Sequence, residues 1–127
     1  MKRNMDLVRL ILLEIEKSDE EEIQNMEIDG YSSEDIKYNA ALLKEKNMID
    51  TYQTDIIGNY YIGSLTWDGC DFLDKVRDNT FWHKTKEVIT KKGLPMLVET
   101  IKSVATALIT SATEGAVNAI LKNGGQP

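Results

Sequence analysis

Residues 31–72 read YSSEDIKYNAALLKEKNMIDTYQTDIIGNYYIGSLTWDGCDF, and no other stretch of the chain restricts the fold as strongly. Ser32 is placed to cap a helix. Asp35 stands three residues on as a capping-box variant, and Tyr31 and Ile36 flank the pair as a hydrophobic staple. Ile36, Ala40 and Leu43 recur at helical spacing and predict a buried stripe. Asn47 follows Lys44 and Lys46 in the last turn. After Gly, Asn is the residue that most readily takes the left-handed conformation ending a helix. Segments 49–54 and 59–65 are rich in β-branched and aromatic residues and read as paired strands, with a turn at Ile57-Gly58-Asn59. Thr66 then caps a further helix with Asp68 in its first turn. Leu73 and Val76 continue its apolar face, and Cys70 is expected beside them on the buried side.

The flanking segments extend this pattern. Residues 5–17 predict a helix, with Met5, Val8, Leu12 and Ile15 on one face, Leu7 and Ile11 widening it, and Asn4 as N-cap. A polar, acidic loop over 18–22 leads to a short strand over 23–28 and a turn at Asp29-Gly30. Past Val76, Asn79 is expected to cap a helix running to Lys92 and closed by Gly93. Pro95 is expected in the first turn of a last helix. In it Leu94, Val98, Ile101, Ala105, Leu108, Ala112, Gly115 and Ala119 recur at alternating spacings of four and three, a heptad seam.

Helix, short strand, helix, hairpin and helix in this order predict an α+β chain. A winged-helix domain occupies 1–78, a linking helix 79–93, and a C-terminal oligomerisation helix with a frayed tail 94–127. The size of 127 residues and a hydrophobic content of 42% suit one domain with an extension. One cysteine excludes an internal disulfide and fits a reducing, cytoplasmic setting. No signal-peptide pattern opens the chain.

Three segments resemble a known family: KRNMDLVRLILLEIE (2–16), YSSEDIKYNAALLKEKNMID (31–50) and LTWDGCDFLDKVRDNTFWHKTKE (65–87). Together they are similar to the small domain-of-unknown-function family 2513, over about residues 2–90. The last segment is the most specific, because its Leu-Thr-x-x-Gly, Phe-Leu and Trp-x-Lys-Thr-Lys elements are not forced by generic helix rules. The resemblance implies a winged-helix-like fold and a phage or prophage setting in a bacterial host, and it implies no assigned activity. Cys70 and Asn39 stand where many relatives carry histidine, which argues against a family metal or catalytic histidine.

The chemistry-bearing residues are sparse. His83 is the sole histidine and has no nucleophile or carboxylate promised beside it. Asp68, Asp71, Asp74 and Asp78 recur along one helix face but lack a cation-wrapping loop. No phosphate-binding, dinucleotide, nucleophile-elbow or zinc spacing occurs. No catalytic residue, cofactor or metal is therefore expected. For DNA, the candidate contacts are Lys37, Lys44 and Lys46 on the helix before the hairpin. Against them, the whole chain carries −6, and 1–78 carries 9 Lys/Arg against 18 Asp/Glu. No Lys or Arg occurs between Asn47 and Asp74, and a wing on DNA needs cations because phosphate neutralisation supplies most of the affinity. The expected function is a non-enzymatic interaction module that self-associates through its last helix as a homo-oligomer. A DNA-binding regulator is the second reading. A membrane-associated effector is the third, and it is opposed by the Ser and Thr residues that dilute segment 103–121.

Overall fold

The computed structural model describes the backbone of residues 1–124 and the side chains of residues 1–111. Its elements are α1 (Met5–Lys17), β1 (Ile23–Gln24), α2 (Ser33–Glu45), β2 (Tyr52–Thr54), β3 (Tyr60–Ile62), α3 (Trp67–Val76), α4 (Asn79–Lys91) and α5 (Val98–Gly124). The chain is α+β, and it divides into two units, Met1–Arg77 and Asp78–Pro127.

In the first unit α1 is the central element, in contact with α2 and α3. It starts where Asn4 accepts a hydrogen bond from the Leu7 N–H at 3.1 Å. Leu7, Val8, Ile11 and Leu12 are buried, as are Met5 and Ile15, so the apolar face spans an arc of about 160°. Two polar side chains are buried with them. Arg9 donates from Nε to the Val76 carbonyl (2.6 Å) and from Nη2 to the Arg77 carbonyl (2.7 Å), closing the end of α3. Asn39 of α2 accepts from the Asn4 N–H at 2.8 Å and donates to the carbonyls of Asp35 and Lys2. Each therefore ties α1 to a helix distant in sequence. At the solvent edge Arg77 forks onto both carboxylate oxygens of Glu16 and reaches Asp74 at 2.7 Å.

Ser32 caps α2 through the Asp35 N–H, as the sequence predicts. At the other end Asn47 has φ 64°. The Asn47 N–H donates to the Lys44 carbonyl and the Met48 N–H to the Leu43 carbonyl, which is the paired-bond pattern of a Schellman ending. Helix α1 reaches α2 through residues 18–32, which include β1, so the two do not form a compact helix-turn-helix with its three- or four-residue turn.

The sheet has the order β1-β3-β2, antiparallel throughout. Ile62 pairs with Ile23 on one side and Tyr52 on the other, and Tyr61 with Gln24 and Gln53. The strands are shorter than the sequence predicts. Asn25 takes φ 51° and ends β1 after two residues. Beyond β2 and β3 the hairpin continues as an irregular ladder: Asp50 pairs with Ser64, Gly63 donates to the Thr51 carbonyl, and Ile49 bridges to Leu65.

The Leu-Thr-x-x-Gly segment fastens α3 to the end of α2. The Thr66 hydroxyl accepts from the Gly69 N–H (3.0 Å) and donates to the Asn47 carbonyl (2.6 Å), while the Thr66 N–H donates to the Met48 carbonyl (3.0 Å). A Cβ on Gly69 would lie 2.1 Å from that Met48 oxygen, so a side chain is excluded by backbone. Gly69, Phe72, Leu73 and Val76 form the buried stripe of α3. Cys70 is exposed, contrary to expectation, because it lies roughly 110° around the helix from the middle of that stripe.

In the second unit the N-cap of α4 is Asp78, one residue earlier than expected, accepting from the Phe81 N–H at 2.7 Å. Trp82, Thr85 and Ile89 are its buried side. Gly93, at φ 65°, ends it with bonds matching those at Asn47. Helix α5 begins at Val98, not at Pro95, and the Ile101 N–H closes its first turn onto the Leu97 carbonyl. Leu94 and Pro95 thus belong to the connection. Helices α4 and α5 pack on each other, with Ile101 and Ala105 fully buried. Among the described residues no helix is long and apolar enough to cross a membrane.

Candidate functional site

The three lysines named from the sequence do not form one surface. Lys37 is half-buried, with its ammonium 3.6 Å from Glu34 and 5.4 Å from the Tyr60 ring centroid. Lys44 and Lys46 are exposed at the end of α2. At 100° per residue Lys44 falls within about 20° of Lys37, whereas Lys46 falls on the opposite side, about 180° away. Between the lysines the outer face of α2 shows Glu34 and Glu45 with half-exposed Tyr38, Ala41 and Leu42.

The hairpin tip is the more distinctive surface, and its geometry follows from one carboxylate. Asp55 accepts from the Ile57 N–H (3.1 Å) and the Asn59 N–H (2.9 Å) on Oδ1. On Oδ2 it accepts from the Asn59 amide (2.9 Å) and the Tyr61 hydroxyl (3.1 Å). Hydrogen bonds to the charged form, from Asn59 first, hold this carboxyl below its usual range. The bond to Asp55 likewise pushes the Tyr61 phenol up. Asn25 braces the base of the tip: its Oδ1 accepts from the Tyr60 N–H, its amide donates to Asn59 Oδ1, and its N–H donates to the Tyr60 carbonyl. The Tyr60 hydroxyl donates to the Met26 carbonyl. Gly58, at φ 96°, completes the turn.

The turn so fixed turns Ile56 and Ile57 outward, 104% and 82% exposed. The sequence predicts the turn at Ile57-Gly58-Asn59 without singling out these side chains. Their signal is that two adjacent β-branched apolar residues inside an Asp-x-x-Gly-Asn turn have no partner strand position to fill. Trp67, on the first turn of α3, is 84% exposed and is likewise not singled out by the sequence reading. Its signal is positional: it lies roughly 170° around the helix from the middle of the stripe formed by Gly69, Phe72, Leu73 and Val76.

An open groove of about 520 Å³ lies between segment 25–31, the start of α2 and Tyr60. Its lining mixes Glu27, Asp29 and Lys37 with Tyr31 and Ile36. His83 is exposed on α4 and Cys70 on α3, in different units. Asp74 is engaged by Arg77 and Asp78 caps α4, which breaks up the acidic ladder. Among the described residues no group of His, Cys, Asp and Glu is arranged to hold a metal ion.

With this geometry in view, residues 2–95 match the model of the family described as "Hypothetical protein (DUF2513)". The chain belongs to this family. A DUF2513 relative, an uncharacterized protein of Haemophilus influenzae, is 34% identical over 113 residues, covering 86% of this chain and 96% of its own length. No solved structure matches the chain. The DUF2513 match takes in the first unit, including the hairpin tip and the Thr66–Gly69 clamp, together with α4. It stops at the connection before α5.

The heptad seam therefore lies almost wholly beyond the DUF2513 match, and the structure divides it. Ile101 and Ala105 are fully buried within one chain, where α5 meets α4. Val98 and Leu108 are half-exposed, Leu94 is outside the helix, and Ile109, off the seam, is 42% exposed. Ala112, Gly115 and Ala119 lie outside the residues whose side chains are described. The expected continuous seam is thus interrupted at its centre, because α4 supplies a covering partner that the sequence pattern does not reveal.

Proposed function

We propose that this chain is a non-enzymatic protein-interaction module on a winged-helix-like scaffold, acting in the cytoplasm of a bacterial host in a phage or prophage setting. The observation that supports it is the hairpin tip. A rigidly braced turn presents two apolar side chains where a DNA-gripping wing presents cations. Exposing two isoleucines forgoes about 1.5–3 kcal/mol each of burial, a cost that a binding surface recovers on association. Self-association through the part of α5 not covered by α4, around Ile109, is the second component of this reading. The heptad residues Val98 and Leu108 contribute at its margin.

The DNA-binding regulator remains the alternative, favoured by exposed Lys44 and Lys46. Titration of the full chain with random duplex and with fragments of its own operon, over a salt series, separates the two. The module reading expects at most weak binding that fades steeply as salt rises. Sequence-selective binding that survives physiological salt overturns it.

A further inference from the structure

We propose that the hairpin tip of one copy docks on the outer stripe of α4 in a second copy, a contact that rests on the interaction-module reading and gives the tip its partner. Three observations carry it. The tip is fixed before binding by the four hydrogen bonds to Asp55, so little ordering cost remains at association. Its surroundings are acidic: the run from Asn47 to Asp74 has no Lys or Arg, and residues 1–78 carry a net −9. That field disfavours nucleic acid, anionic lipid and a second hairpin alike, since like charges brought together oppose association. What fits is an apolar seat edged by cations.

The chain carries such a seat. Residues 79–127 hold 6 Lys/Arg against 3 Asp/Glu. On α4, positions 81, 84, 88 and 91 recur at helical spacing and share one side. Phe81 and Val88 are half-exposed there, Lys84 is exposed between them, and exposed Lys91, paired with Glu87 at 2.8 Å, lies beyond them. This stripe borders but does not include the buried side formed by Trp82, Thr85 and Ile89. Isoleucine side chains from a tip can lie against Phe81 and Val88, with the charge of Asp55 toward Lys84.

Light scattering on the full chain at about 50 and about 500 mM salt tests the contact, because screening weakens exposed charge pairs at the higher value. The wild type, whose tip and stripe are different surfaces, is expected to rise above the monomer mass with concentration at low salt, with a dissociation constant about tenfold weaker at high salt. Ile56→Ser/Ile57→Ser and Lys84→Glu/Val88→Ser are each expected to stay monomeric, with unchanged circular dichroism. An equimolar mixture of the two keeps one intact tip and one intact stripe, and should associate to a dimer and no further. A monomeric wild type at both salts overturns the proposal. So does a mixture that does not recover, or association that persists in both variants. Persistent association that Ile109→Glu abolishes would leave self-association through α5 standing while removing this contact.

Discussion

The two units use their buried polar side chains differently. In Met1–Arg77 two of them bond across the fold, Arg9 to the end of α3 and Asn39 to the start of α1, and half-exposed Thr66 adds a bond to the end of α2. In the α4–α5 unit Thr85 is the buried polar side chain among the described residues, and its hydroxyl donates to the Phe81 carbonyl in its own helix at 2.9 Å. A bond within a helix fixes nothing about its neighbour. The first unit thus has directional contacts from helix to helix at its core, which is what a rigid scaffold for a presented tip needs.

The sharpest way to break this contrast is at Gly69. Gly69→Ala sets a methyl 2.1 Å from the Met48 carbonyl oxygen, so α3 must move away from the end of α2. A loss of about 3 kcal/mol in a thermal or urea melt is expected. An alanine variant as stable as the wild type would show that the clamp yields easily. The next test compares Asn39 with Thr85. Asn39→Ala strands the Asn4 N–H and should cost about 2 kcal/mol, whereas Thr85→Val should stay within about 1 kcal/mol. Equal costs in the same melts would remove the distinction between the units.

These contrasts also mark what the sequence could disclose. Caps and helix endings are local, so Asn4, Ser32, Asn47, Thr66 and Gly93 were legible from their neighbours. The hairpin's place was legible from composition, although its regular strands are only three residues each. Arg9 and Asn39 were not legible as buried groups, because their partners lie 67 and 35 residues away. Cys70 is misplaced by weighing its apolar character above its position, since Asp74 and Arg77 lie within about 40° of it around the helix and mark that side as polar. The seam was read as intermolecular because a heptad pattern records that a face is covered, and not by which helix.

Asn47 and Gly93 end helices in the same way, one in each unit, which allows a smaller comparison. Asn47→Gly should melt within about 0.5 kcal/mol of wild type, while Asn47→Val should lose about 1–2 kcal/mol, because a β-branched side chain meets the following carbonyl in the left-handed region. Equal midpoints for the glycine and valine variants would mean that the ending relaxes to another conformation.

The smallest expected effect is local and pH-dependent, and it sits at the tip. The Asp55 carboxyl is lowered from its ordinary value by its hydrogen bonds, from Asn59 first. A carboxyl lowered in the folded state contributes order that is complete above its unfolded value and is lost as pH falls through the lowered one. The tip should therefore keep its structure at neutral pH and through the ordinary carboxylate range, then loosen below it as protonation removes acceptors for the Ile57 and Asn59 amides. Amide chemical shifts and hydrogen exchange at those two residues, followed down the pH scale, should report this step while core amides at Ile11 and Leu12 hold. Asp55→Asn should show the loosened exchange already at neutral pH, since an amide nitrogen facing the Asn59 side chain and the Tyr61 hydroxyl cannot accept as Oδ2 does. If exchange at Ile57 is insensitive both to pH and to this substitution, Asp55 does not hold the turn, and the rigid presentation of Ile56 and Ile57 has to come from the Asn25 brace instead.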